Sequence, residues 1–295
     1  MRDGRFGSIG LLAQAAPGWI RAPEEIAWSI GEAVRARGLS LTLGRVSDEA
    51  LASEGELSRL LDEWSVDSLL VSYNSRIPPA MFDLVRRYNV PTVWLNAKLD
   101  ADCVYPDDYG AGRALTEHLI RLGHRRIAYP TLYGWDASEH YSRAERYRGY
   151  ADAMRAAGLD EWLLRAPPGI PERDRYAHVM KQLDSADRPT AVITYLNDSA
   201  VLWSLVARQM GLSVPGELSV ASFHQISGLA GLGVNLTTMI YPAEEVGRTA
   251  VNEVLSKLER PGEPRPPKVI PFTYNPGETT GPPRSSTRRT KPKFK

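Results

Sequence analysis

The chain is poor in the residues that most often carry chemistry. It has one cysteine, Cys103, five histidines, and a formal charge of +1 over 295 residues. A single cysteine excludes an intramolecular disulfide and suits a reducing compartment. Balanced charge gives no global field to draw the protein to nucleic acid or acidic membrane. No apolar run reaches the length of a membrane span, and the opening MRDGRFGSIGLLAQAAPG has too short an apolar stretch for a secretory signal, so a cytoplasmic protein is expected. His118, His124, His140, His178 and His224 include no i,i+4 pair flanking an acid, and Cys103 has no companion. Neither a metal nor a cofactor is therefore expected. No phosphate-loop lysine motif, Gly-x-Ser-x-Gly elbow or nucleophile–base constellation occurs, which argues against an enzyme. GAGRAL, residues 110–115, follows Pro-Asp-Asp-Tyr rather than a strand and lacks a third glycine. It reads as a helix start capped by Asp107 or Asp108 before it reads as a dinucleotide loop.

What is present is alternation. Hydrophobic residues make up 43% and charged residues 24%, enough for one large or two medium cores. SIGLLA suits a buried parallel strand, and PEEIAWSIGEAVRARG reads as a helix with acids first, arginines last and Gly38 as its stop. Ile26, Ile30, Ala33 and Val34 form its buried stripe. The unit then repeats: a helix striped by Leu57, Leu60, Leu61 and Trp64, strand VDSLLVSY, helix PPAMFDLVRRYN, strand PTVWLN, and a helix carrying Ala111, Leu115, Leu119 and Leu122. That helix ends at the joint LGHRRIAYP. Such a run of βα units implies a parallel sheet covered on both faces.

The pattern restarts with helix RAERYRGYADAMRAAG, a short stretch near residues 162–166 and a helix over 176–183. Strand TAVITYL, helix NDSAVLWSLVARQMG, strands LSVASF and LTTMIY, helix PAEEVGRTAVNEVLSKLE and strand KVIPFTY follow. Two Rossmann-like lobes are the simplest arrangement, each presenting the carboxyl ends of its strands to a ligand. The joint itself admits three readings: a generic βα unit, a basic patch for nucleic acid, or the seam between lobes. The last residues, 284–295, are basic without an acid, a solvated disordered tail or, alternatively, a weak phosphate-binding arm.

Four blocks in order, DDYGAGRALTEHLIRLGHRRIAY, RAERYRGYADAMRAAGL, PTAVITYLNDSAV with ARQMGLSVPGELSVASF, and LTTMIYPAEEVGRTAVNEVL, carry a resemblance. Together they resemble the effector-binding core of lactose-repressor-type (LacI/GalR) transcription regulators, over about residues 7–283. The resemblance implies an α/β fold of two Rossmann-like lobes with parallel sheets, periplasmic-binding-protein-like, type I. The N-terminal lobe is then expected over residues 7–128 plus 242–259, and the C-terminal lobe over 129–239 plus 267–283. It makes the LGHRRIA joint the crossing between lobes, and His124, Arg125 and Arg126 joint or surface residues rather than DNA contacts.

The same resemblance places a small-molecule effector, a sugar or sugar derivative, in the inter-lobe cleft. Arg146 matches the family's effector-binding arginine, and a guanidinium fork suits vicinal hydroxyls or a carboxylate. Asn197 matches a second contact, with helix N-capping as its competing role. Asp107 matches an aspartate that faces the cleft. His224 stands where the family usually has an aspartate, changing charge and donor pattern, and Gly277-Glu278-Thr279-Thr280 replaces the usual Arg-x-Ser-Thr ending. Trp19, Tyr73 (with Asn74) and Trp135 fall in loops expected to offer aromatic faces to the ligand, whereas Trp28 and Trp64 read as packing residues. Operator DNA would be bound through a helix-turn-helix head that this sequence does not include, so the chain alone is not expected to recognise DNA specifically. A homodimer is expected, with the stripe Met81, Phe82, Val85 and the glycine-rich run 226–234 as its surfaces. The rival is a free-standing solute-binding protein of a transporter, which predicts a secretion signal and a monomer.

Overall fold

Short apolar runs become the strands of two sheets. The structure is a computed structural model that describes residues 6–14, 24–47, 63–72, 77–132, 140–223 and 235–284. The first sheet contains β1 (Ser8–Gln14), β2 (Ser40–Val46), β3 (Ser68–Ser72), β4 (Thr92–Leu95), β5 (Cys103–Pro106) and β11 (Lys268–Ile270), in the order β11-β5-β4-β3-β1-β2. The second contains β6 (Ile127–Thr131), β7 (Leu163–Arg165), β8 (Ala191–Thr194), β9 (Ser219–Phe223), β10 (Thr237–Ile240) and β12 (Thr273–Asn275), in the order β12-β10-β9-β8-β6-β7. Pairing is parallel throughout the described strands except between β10 and β12.

Helices cover the sheets because each carries one apolar stripe. In the first unit, Ile26, Ile30 and Val34 of α1 (Glu24–Arg35) pack with Val246, Ala250 and Val254 of α7 (Ala243–Glu259) on Ile9, Leu11 and Leu70. The opposite face buries Leu12, Leu69 and Val71 under Met81 and Leu84 of α2 (Pro79–Tyr88). In the second unit, Val179 and Leu183 of α5 (Glu172–Leu183) and Ala200, Trp203 and Val206 of α6 (Asn197–Gln209) cover Ala128, Val192 and Val220. The remaining helices are α3 (Asp108–Arg121) and α4 (Tyr141–Ala156). None of the described helices is long and apolar enough to cross a membrane.

Several expectations are corrected. β2 and β5 were not anticipated: β2 is a sheet-edge strand with an exposed-to-intermediate pattern, and β5 spans four residues, so neither offers a long apolar run. KVIPFTY is two strands rather than one. Lys268–Ile270 pairs with β5 in the first sheet, and Thr273–Asn275 pairs with β10 in the second. Pro271 lies between them and has no N–H for a ladder. The expected lobe crossing at Ala128 falls inside β6, which belongs wholly to the second sheet. The compact units divide instead at Asp108, with α3 in the second unit, while β11 and the rest of 241–272 belong to the first.

The joint that opens β6 is built as its sequence suggests. Gly123, at φ +98, donates to the Ile120 carbonyl at 2.9 Å, and the His124 amide donates to Leu119 at 3.1 Å, closing α3. Arg125 and Arg126 are exposed, but His124 is buried. Its Nε2 lies 2.9 Å from the Gly281 carbonyl, an acceptor only, so Nε2 carries the proton and Nδ1 accepts from the Thr190 hydroxyl at 2.9 Å. Burial lowers the His124 pKa below its ordinary value. Trp64 packs as expected, its ring so close to Gly44 that a Cβ there would sit 1.9 Å from it. Trp28 does not: it is 75% exposed.

Candidate functional site

Arg146 lies on α4, and α4 is held from two sides. Toward the sheet, the Tyr150 hydroxyl donates to the Ile127 carbonyl and accepts from the Trp162 amide, both at 2.8 Å. Tyr129, Tyr147 and Tyr150 form an aromatic triangle with centroids 5.5–5.6 Å apart. Burial and the hydrogen bond to Glu161 push the Tyr147 pKa up to about 12, so it stays a neutral phenol. Elsewhere, α4 meets α3 at backbone distance through Gly112 and Gly149.

This mounting sets the Arg146 guanidinium between two aromatic faces. Its Cζ is 4.7 Å from the Tyr195 ring centroid and 4.8 Å from that of Phe223, and Nη1 donates to the Tyr195 carbonyl at 3.3 Å. The residue is 6% exposed. The two ring contacts remove much of the side chain's rotational freedom.

Tyr195 and Phe223 stand at the carboxyl ends of β8 and β9, which a hydroxyl pair ties together: Thr194 donates to Ser222 Oγ at 3.1 Å. Two residues beyond Tyr195, α6 begins at Asn197. The N-cap of that helix is Leu196, and no side chain caps it, so Asn197 is not spent on capping. Asn197 is 3% exposed, yet neither its Oδ1 nor its Nδ2 has a hydrogen-bond partner among the described residues. A buried amide with four unmade bonds is a costly feature that a bound ligand can satisfy.

Of the residues the sequence singles out, Arg146 donates to the Tyr195 carbonyl in the β8–α6 turn, and Asn197 is the first residue of α6 after that turn. Asp107 belongs to the first unit, directly before α3, where its amide donates to the Ile270 carbonyl at 2.8 Å. Trp19, Tyr73, Asn74, Trp135, His224 and the run 226–234 lie outside the described residues. Of the expected dimer stripe, Met81 is 1% exposed and faces the core, with Phe82 and Val85 packed against it. No group of three metal-ligating side chains occurs among the described residues.

The first unit, taken by itself, holds polar residues at its strand ends that the sequence did not single out. Ser72, at the carboxyl end of β3, is 3% exposed, and its hydroxyl has no partner among the described residues. Asn96 follows β4 at φ +53, accepts at its carbonyl from His140 Nε2 at 2.7 Å, and offers Oδ1 to the Tyr141 and Tyr241 hydroxyls at 3.5 and 3.4 Å. Tyr105 meets Tyr141 edge-on at 5.9 Å. The available signal was position: Ser72, Asn96 and Tyr105 all stand at or near strand carboxyl ends.

A family model described as a periplasmic binding protein-like domain matches residues 116–280. The arabinose metabolism transcriptional repressor of Geobacillus stearothermophilus is 28% identical over 241 residues, 78% of this chain and 65% of that protein. The chain therefore spans about two thirds of that relative's length. The HTH-type transcriptional repressor PurR of Erwinia tasmaniensis is 29% identical over 261 residues, covering 85% of this chain and 73% of the relative. Among solved structures, the lac repressor dimer bound to operator and the anti-inducer ONPF superposes with a TM-score of 0.77 at 20% identity, covering 95% of this chain and 96% of that one.

Proposed function

The chain belongs to the periplasmic binding protein-like family as an effector-binding core of the LacI/GalR type, and from that premise we propose that it senses a sugar or sugar derivative to control DNA binding by a head domain outside this sequence. The observation that carries the reading is the Asn197 amide, buried and unpartnered two residues after Tyr195, whose ring and carbonyl meet Arg146. A sugar hydroxyl both donates and accepts, so it suits both ends of the Asn197 amide, and a guanidinium is a strong donor to the same class of ligand. The metabolic name of the arabinose repressor supports a carbohydrate class. Asp107, Trp19, Tyr73, Trp135 and His224 are proposed as further contacts on the resemblance alone. The ligand acts by binding one state of the core better than another, a difference of ~1–3 kcal/mol in typical allosteric proteins.

The protein is proposed to work as a homodimer in the cytoplasm, since paired heads read two half-sites. Buried Met81 cannot serve the pairing; exposed Trp28 and Leu43 in the first unit and Leu205 in the second offer apolar surface instead. The test is a thermal-shift screen of sugars, sugar acids and nucleosides, followed by calorimetry of the hit on Arg146→Ala. Loss of a buried charged hydrogen bond costs ~1.5–3 kcal/mol, so affinity should fall roughly ten- to a hundredfold. Unchanged affinity in the variant would remove Arg146 from the site and the reading with it.

A further inference from the structure

The GAG segment that superficially resembles a nucleotide loop does another job. Gly110 and Gly112 are helical residues of α3, and a Cβ at Gly112 would lie 2.2 Å from the carbonyl oxygen of Arg146 and 3.0 Å from its Cα. Reciprocally, a Cβ at Gly149 would lie 2.2 Å from the Tyr109 carbonyl oxygen and 2.7 Å from the Arg113 nitrogen. Two helices therefore cross backbone to backbone, each contributing the glycine that admits the other. Glycine weakens a helix interior, so both positions carry a local cost that the crossing offsets.

The crossing has two consequences. Arg146 is the residue whose own carbonyl faces Gly112, so the crossing sets how far the arginine stands from Tyr195 and Phe223. The helix it crosses, α3, starts where the chain passes from one compact unit to the next: Asp108 ends the first unit and Tyr109 opens the second. Rigid backbone contact passes displacement on without the slack that side-chain packing allows.

We propose that Gly112 and Gly149 are positioning residues of the effector site, which seat Arg146 between its two aromatic rings and lock it to the helix leaving the Asp108–Tyr109 junction, so that any shift of Arg146 is a shift of α3. The functional meaning rests on the effector reading above, but the placement can be tested without a ligand. In arginine-selective nuclear magnetic resonance, the Arg146 Nε–H proton of the wild-type chain should be displaced upfield by the two ring currents, with assignment by its loss in Arg146→Lys. Gly112→Ala should abolish that displacement, and Gly149→Ala should move both the Arg146 signal and the Gly110 amide, whose peptide carbonyl belongs to Tyr109.

Val179→Ala, a buried truncation on α5, is the control for general destabilisation and should leave both signals in place. A folded Gly112→Ala chain with an unmoved Arg146 signal overturns the proposal. If the glycine variants do not fold, the wild-type chain decides: cross-peaks between the Gly112 and Gly149 α-protons support the crossing, and their absence refutes it. Failure of the ligand screen with these signals as expected would fault the effector reading alone.

Discussion

Replacing Asn197 by leucine should make the free protein more stable and its ligand response weaker. Asn197 is 3% exposed with both amide atoms unpartnered among the described residues, and a buried polar group in that state costs ~1–3 kcal/mol. Leucine is close in shape, removes the unsatisfied amide, and is the better helix former by a few tenths of a kcal/mol, on the order of 0.5 at most. Because Leu196 is the N-cap and no side-chain cap bond exists there, no capping energy is lost in exchange. The net expectation is a gain of roughly 1–3 kcal/mol, or ~2–4 °C per kcal/mol for a domain of this size. Urea denaturation of both chains at one pH measures it, with equal m-values required for comparison. Calorimetry with the screened ligand should show affinity reduced at least roughly tenfold, the loss of one or two good hydrogen bonds. A leucine variant less stable than wild type by more than ~1 kcal/mol would mean that the amide is satisfied in the free protein, and the accounting that marks it as a ligand contact would be wrong.

Other perturbations separate scaffold from site. His124 is held neutral by burial, its pKa below the ordinary value, so the unfolded chain takes up the proton more readily; stability is full above about pH 6.5 and falls as the pH drops from there toward the folded-state pKa. Urea midpoints between pH 8 and 5 should therefore slope less in His124→Gln than in wild type, the shared remainder coming from His118 and His178, which burial also lowers. Lys257 pairs with Asp102 at a largely buried site where Asp102 also accepts from the Arg265 amide at 3.0 Å, so Lys257→Met should cost about 1–3 kcal/mol by thermal denaturation, with little relief from salt. Trp28→Lys should leave the melting temperature unchanged, since the side chain is 75% exposed, and should lower the dimer fraction in sedimentation if α1 serves the pairing. Cys103 is buried with its thiol donating to the Leu99 carbonyl at 3.2 Å and its pKa raised by desolvation; a thiol reagent should label it only as fast as the first unit opens, and rapid labelling would show that this region is not closed.

The legible part of the fold is the part where a single face decides. Ile26, Ile30, Ala33 and Val34 are buried because helical periodicity leaves them one direction to face, and α1 could be drawn from those residues alone. SIGLLA and SLLVS are buried on both faces and read as continuous apolar runs. Where the deciding partner is far away, the sequence is silent. Nothing within KVIPFTY says that its two halves pair with strands of different sheets, because the reason lies in β5 and β10. Trp28 reads as a packing residue by type, but two residues past Ile26 it points roughly opposite the stripe, and it is exposed there; periodicity is the better guide than residue type.

The site shows the same division at the scale of single side chains. Arg146 was found through a resemblance, but its clamp was not, since Tyr195 and Phe223 are adjacent to it only after β8 and β9 have paired and α4 has docked across them. Asn197 is the sharper case. An asparagine directly after a strand and at the start of a helix has two ordinary employments, capping the helix or contacting a ligand, and the two leave identical traces in sequence. Hydrogen-bond accounting distinguishes them. A capping asparagine sits one position outside the first helical turn and bonds its own helix; this one is the first helical residue, bonds nothing among the described residues, and is shielded from water. An unpartnered buried amide that does not cap its helix is the observation on which the proposed ligand contact rests, and the leucine substitution is its test.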